Sequence, residues 1–190
     1  MNQVIAPEHP DVNAKKVAAK RPRDVETPHR PGLPVAIIRS IEQRDYGKAC
    51  DQLRACPSSP LVAEALSVCL MRSDRVEEAL NLLRTLVLNS SSTTLRPEAT
   101  DSMLVNLATA LMLKGIPSGA METLSDIQDR NHPAAIQLRD AISNWCAGLS
   151  WWRRWDWKLN RIDPPNAIVP IDFEPGELTF ALPVVEPFPV

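Results

Sequence analysis

Three stretches of this chain carry one and the same pattern: a turn, then a small residue followed by apolar residues four and seven positions on. They are Asp45-Tyr46-Gly47-Lys48-Ala49 with Leu53 and Cys56, Asp74-Arg75-Val76-Glu77-Glu78-Ala79 with Leu83 and Leu86, and Gly115-Ile116-Pro117-Ser118-Gly119-Ala120 with Leu124 and Ile127. The spacing places all three residues of each set on one helical face. The alanine lets a partner helix come close. An apolar stripe precedes each turn, so each unit reads as a helix-turn-helix. Such units cannot bury their stripes alone and hide them by stacking, which leaves a surface for binding.

The units divide the chain into three parts. Residues 1–32 read as a disordered basic arm, polar and proline-punctuated, with Lys15, Lys16, Lys20, Arg21 and Arg23 clustered beside Asp11, Asp24 and Glu26. Residues 33–160 form the helical domain, and 161–190 an extended Pro-rich tail. The 18 prolines gather near the two ends, so they mark these tails and not general disorder. A formal net charge of −2 gives no global pull toward nucleic acid or membrane. No apolar run is long enough to cross a bilayer, and the first seven residues lack the basic start and apolar stretch of a signal peptide. Cys50, Cys56, Cys69 and Cys146 contain no Cys-x-x-Cys pair and fall in expected helices, as buried reduced thiols would. The expected location is the cytoplasm.

Helix boundaries follow from local chemistry. A first helix starts near Pro34 and carries Val35, Ile37, Ile38 and Ile41; its partner runs from about Tyr46 to Cys56. Ser59-Pro60 makes an N-cap and first-turn pair for the helix of Leu61, Ala65, Leu66, Val68 and Leu70. Asp74 is expected to cap the next helix, with Glu77 three residues on. Asn89 to Thr94 is a longer loop, and it makes the alanine spacing uneven, 30 and then 41 residues. Pro97 is expected to open a long helix through Met103, Leu104, Leu107, Ala108 and Leu111, closed by Gly115. Pro117 and Pro133 each start a further helix. The last carries Ala135, Leu138, Ile142, Trp145, Leu149 and Trp152, with Gly148 and Ser150 placed to break it in two.

The pattern resembles the tetratricopeptide-repeat family. Leu66-Ser67 and Leu107-Ala108 stand at the signature of the family's first helix, with Asn106 before Leu107. Ala49, Ala79 and Ala120 stand at that of the second, Tyr46 at the turn aromatic, and His132-Pro133 at the repeat-closing proline. The resemblance covers about residues 33–147; the family's first-helix Trp and Tyr are missing. It implies an all-α antiparallel helix-hairpin array, a solenoid of about three repeats with a C-terminal capping helix. It also implies a groove, lined by first helices, that holds an extended peptide or a helix. By alignment that groove includes Ile38, Ile41, Val68, Met71, Arg72, Val105, Met112 and Leu113. Only Arg72 is basic, which argues against a clamp for a peptide's terminal carboxylate. An apolar groove suits an apolar strand or an amphipathic helix, although each of these residues reads equally well as core.

All five tryptophans lie between Trp145 and Trp157, interleaved with Arg153, Arg154, Lys158 and Arg161. On a helix Trp151, Trp152, Trp155, Leu159 and Ile162 share one side. Three readings stand: a capping helix packed on the last repeat, a hot-spot surface for a partner protein, or an interfacial membrane helix. After Asp163-Pro164-Pro165, residues 171–180 read as a small hairpin about a Pro175-Gly176 type II turn. Phe173 would pair with Leu178, and Ile171 with Phe180. A two-stranded hairpin is not stable alone, so its apolar face is expected to dock on this chain's own repeats, on a second copy or on a partner.

Sites for chemistry are not evident. His9, His29 and His132 form no metal spacing with one another or with cysteine, and no phosphate loop or nucleophile elbow occurs. Glu77 and Glu78 read as helix-start charges, and Glu174 and Glu177 as solvated flanks of a turn. The expectation is a non-catalytic scaffold or adaptor without metal or cofactor. Its partner is a protein or peptide and not nucleic acid. Partner contacts fall to the groove residues above and to Trp151, Trp152, Trp155 and Arg154. The alternative is a peripheral membrane-associated assembly factor using segment 151–161.

Overall fold

The computed structural model describes residues 32–89, 94–165 and 167–179. The basic arm up to residue 31, residues 90–93 and 166, and the end of the tail from Phe180 lie outside the described residues. Among the described residues there are eight helices and no strand. They are α1 Val35–Glu42, α2 Tyr46–Arg54, α3 Pro60–Arg72, α4 Val76–Val87, α5 Asp101–Leu113, α6 Pro117–Ser125, α7 Pro133–Gly148 and α8 Trp151–Asn160. Each helix from α1 to α6 packs on the next, and α3 also packs on α5 and α5 on α7. α3, α5 and α7 therefore adjoin one another along one side of the helical array.

The repetition seen in the sequence is repeated in the backbone. α1, α3 and α5 end in the same turn. A left-handed residue follows each: Arg44 at φ 58°, Asp74 at 61° and Gly115 at 82°. The next amide then reaches back five residues, Asp45 N to Ser40 O, Arg75 N to Leu70 O and Ile116 N to Leu111 O, each at 2.9 Å. This closes the last carbonyls of the helix and reverses the chain. Five residues beyond each left-handed residue stands Ala49, Ala79 or Ala120, each with no exposed surface. The alanines bring the two helices of a pair together, and Leu53, Leu83 and Leu124 fill the space behind them.

Asp74 is the left-handed turn residue and not the N-cap expected of it. Arg75 holds the cap position of α4, without a side-chain cap. Glu77 meets Lys114, and Glu78 accepts from Arg75 and Arg54. Ser59 does cap α3, its hydroxyl accepting from Val62 N at 3.2 Å, with Pro60 in the first turn. Pro97 does not open α5. Thr100 caps that helix, its Oγ1 accepting from Met103 N at 3.3 Å, and Pro97 sits in the turn before it. Cys56 lies just past the end of α2; Cys50, Cys69 and Cys146 are buried, and all four thiols are free.

α5 is the centre of the molecule, with every residue from Ser102 to Met112 buried. Beyond α7 the chain breaks at Leu149-Ser150 and α8 begins. α8 turns its single tryptophan side inward and its multiple-tryptophan side out. Trp157 is buried, edge-on to Trp145 with ring centroids 5.6 Å apart. Trp151, Trp152, Trp155 and Leu159 are 59%, 75%, 52% and 68% exposed. A capping helix packed through those four residues is thus not what forms. The helix is tied instead by Arg154, whose guanidinium donates to the carbonyls of Ala147 and Leu149 at the end of α7. It is tied also by Trp157 Nε1, which donates to Asp163 at 2.9 Å.

Two substitutions separate these contributions. Gly115→Ala puts a side chain on a left-handed backbone and is expected to cost about 1–2 kcal/mol. Trp152→Ala removes a mostly solvated ring and is expected to change stability by less than about 0.5 kcal/mol. Urea unfolding of the two variants beside the parent chain measures both. A large loss from Trp152→Ala would return that ring to the core.

Candidate functional site

The C-terminal segment crosses the molecule on the side of α3, α5 and α7. Asp163 anchors its start. One carboxylate oxygen accepts from Ser118 N at 3.0 Å and from Trp157 Nε1, and the other from Ser118 Oγ. Ser118 lies in the first turn of α6, where unpaired amides attract an anion, so Asp163 supplies the cap that Ile116 does not. Ala167, whose backbone passes beside Gly115, and Val169 are then buried.

From residue 173 onward the contacts change character. Arg72, on the last turn of α3, donates from Nε to Pro175 O and from Nη2 to Gly176 O, both at 2.9 Å. Its Nη1 lies 3.3 Å from Glu174 Oε2, and its guanidinium stands 5.7 Å from the Tyr46 ring centroid. Tyr46 donates its hydroxyl to the other Glu174 oxygen. Asn106, in the middle of α5, holds the backbone of the next residue with both halves of its amide. Nδ2 donates to Glu177 O at 3.0 Å, and Oδ1 accepts from Glu177 N at 2.7 Å. Thr179 Oγ1 donates to Glu64 Oε2 at 3.1 Å. His132 Nε2 stands 3.4 Å from Glu177 Oε2, while His132 Nδ1 is buried without a hydrogen-bond partner.

Residues 175–177 are therefore gripped through their backbone. Gly176 is the exception where identity is enforced. Its φ is +80°, which suits glycine, and a Cβ there would lie 2.7 Å from Met71 Cε and 3.0 Å from both Val68 methyls. The Pro175-Gly176 turn expected from the sequence is thus present in its left-handed residue, but the hairpin is not. No strand forms over 171–179. The polar backbone groups that would have faced a second strand are taken up by Arg72 and Asn106. Ile171, Phe173 and Leu178 are half-buried against the helical core.

Glu64 is the charged group at the base of the site. It is buried on α3, and its Oε1 accepts from Ser102 Oγ and from Asn106 Nδ2 at 3.3 Å. Burial pushes its carboxyl above the ordinary value, and the charge of Glu177 adds to the push; hydrogen bonds from Ser102, Thr179 and Asn106 pull the other way. No cation faces it among these contacts, so desolvation dominates.

Of the residues expected to line a groove, Val68, Met71, Arg72 and Val105 meet the segment or the 250 Å³ cavity beneath it. Ile38, Ile41 and Met112 are buried in the core, and Leu113 is half-buried against it. Trp151, Trp152 and Trp155 form a separate exposed face around an open hollow with Arg153, Asp156 and Leu159. Arg154 turns back onto α7. Glu64, Asn106, His132, Glu174 and Thr179 also belong to the site, beyond the residues the sequence pattern points to. The signal for the first two was available: a carboxylate and an amide inside otherwise apolar helices need partners. Glu174 and Glu177 are not merely solvated turn flanks. A larger cleft of about 1010 Å³ runs between α7 and residues 170–173, lined by Gln137, Asn144 and Trp145 among others. Among the described residues no group of three or more His, Cys, Asp or Glu side chains could hold a metal ion, and no helix is long and apolar enough to cross a membrane.

Comparison with protein families, curated proteins and solved structures finds no match to this chain.

The raised Glu64 carboxyl sets a pH dependence with a definite sign. A folded value above the unfolded one favours the neutral acid. Its contribution is full below the unfolded value and is lost as pH rises through the folded one. Glu64→Gln keeps the acceptor for Ser102 and Asn106 and removes the titration. The stability difference between Glu64→Gln and the parent should therefore grow in favour of the variant from pH 4 to pH 8. Urea unfolding at both pH values measures it, and a constant difference would contradict the assignment.

Proposed function

We propose that this chain is a non-catalytic binding scaffold of tetratricopeptide-like helix pairs, acting in the cytoplasm and holding extended peptide segments against α3 and α5. The observation that carries the reading is the pair of backbone grips. Asn106 takes both main-chain polar groups of one residue, Glu177, and Arg72 takes the two carbonyls before it. Side chains that bond main-chain atoms of an extended segment, with pockets for selected residues between, are a recurring means of peptide recognition. Four free thiols fit a reducing compartment.

Panning the intact chain against a library of random extended peptides tests the reading. Enrichment is expected, and the enriched peptides are expected to lose binding to the Asn106→Ala chain. Equal binding to both would contradict it.

A second reading, peripheral membrane attachment, has its own support. Trp151, Trp152, Trp155 and Leu159 face solvent beside the exposed Arg153 and Lys158, a composition suited to the headgroup layer. It predicts co-pelleting with phosphatidylserine-containing liposomes at low salt, lost on Trp151→Ala/Trp152→Ala/Trp155→Ala. A parent chain that stays in the supernatant would remove it.

A further inference from the structure

The seated segment displays, side chain by side chain, what the site selects. Resting on the scaffold reading above, we propose that the face of α3 and α5 receives from another protein an internal segment of the form acidic–Pro–Gly–any–aliphatic–Thr, and that residues 174–179 of this chain are its intramolecular competitor.

Each position follows from a contact. The acid at 174 answers Arg72 and the Tyr46 hydroxyl, with Arg44 Nε 4.0 Å away. Proline at 175 donates no amide, and only its carbonyl is used. Glycine at 176 is demanded by its left-handed backbone and by the methyls of Val68 and Met71. Position 177 is held by its own N–H and carbonyl, so many side chains fit there. The aliphatic residue at 178 packs on the core, and the hydroxyl at 179 donates to Glu64. The segment is internal because the chain continues past it; no contact calls for a terminal carboxylate.

Two observations favour exchange over permanent closure. The firm anchors of the C-terminal stretch lie upstream, at Asp163, Ala167 and Val169. Past residue 170 its apolar side chains are only half-buried, so segment 173–179 opens without disturbing those anchors. The second observation concerns Asn106 and Glu64. They have almost no exposed surface, and an incoming segment of like chemistry meets the same hydrogen-bonding needs that the departing one met. A tethered competitor acts at an effective concentration on the order of millimolar, so the foreign segment binds well only when it is abundant or when the tail is displaced.

The test uses full-length chains and a fluorescein-labelled synthetic peptide of residues 173–179. Gly176→Val forces a side chain into Val68 and Met71. Glu174→Lys, on an exposed side chain, repels Arg72 without touching the helical core. In both chains amide hydrogen exchange should show residues 173–179 released. By fluorescence anisotropy the peptide should bind both variants at least about tenfold more tightly than it binds the parent chain. A peptide carrying valine at the glycine position should not bind, and adding Asn106→Ala to either variant should abolish binding. Release of the segment without peptide binding would overturn the proposal and leave the broader scaffold reading standing. A segment that stays protected in both variants would overturn the seat itself. A parent chain that dimerises at micromolar concentration, and a Gly176→Val chain that does not, would assign the site to a second copy and so also overturn the proposal.

Discussion

The amide of Asn106 is the constraint around which the rest is arranged. It sits in the middle of α5, a helix buried from Ser102 to Met112, with no exposed surface of its own. A buried amide without partners costs on the order of 1–3 kcal/mol. Helical backbone cannot supply those partners, because its own groups are already paired along the helix. They come from the main-chain N–H and carbonyl of Glu177, 71 residues away in sequence, and from Glu64 on α3. Glu64 in turn accepts from Ser102 and Thr179. One polar cluster therefore joins α3, α5 and the C-terminal segment, in the midst of an otherwise apolar layer.

Everything else in the fold serves to place that amide. Three equivalent turns and three buried alanines set the helix pairs side by side. They bring α3 and α5 into contact and set Arg72, at the end of α3, near Asn106 along the path of residues 174–177. Asp163 then fixes the direction from which the segment arrives, by tying it to the start of α6 and to Trp157. The anchor at Asp163 holds by side chain, while the grips at 175–177 hold by main chain, with identity enforced at Gly176.

The helix pairs were legible because their signals are local. Ala49, Ala79 and Ala120, the Ser59-Pro60 start, Gly115 and the starts at Pro117 and Pro133 each act within a turn or two of sequence. The break at Gly148-Ser150 is of the same kind. Signals failed where two local readings competed. Asp74 is a good N-cap residue and also tolerates a left-handed backbone, and the turn closing α3 took it. Pro97 suits a helix start, but Thr100 offered a side-chain cap and Pro97 fell in the preceding turn. In 171–180 the Pro175-Gly176 turn, with apolar residues placed to pair across it, points to a hairpin. Here side chains 71 or more positions upstream take the role of the pairing strand, which no local pattern reveals. On α8 the periodicity grouped Trp151, Trp152 and Trp155 correctly, yet it does not say which side faces in. Trp157 won that place through its N–H bond to Asp163 and its edge contact with Trp145.

The most direct measurement of the central claim is amide hydrogen exchange on the Asn106→Ala chain beside the parent. The account predicts fast exchange over residues 173–179 in the variant, with α3 and α5 still protected and protection near Asp163 retained. Slow exchange at 173–179 in the Asn106→Ala chain would contradict it, because the segment would then be held by something other than the grip on its backbone.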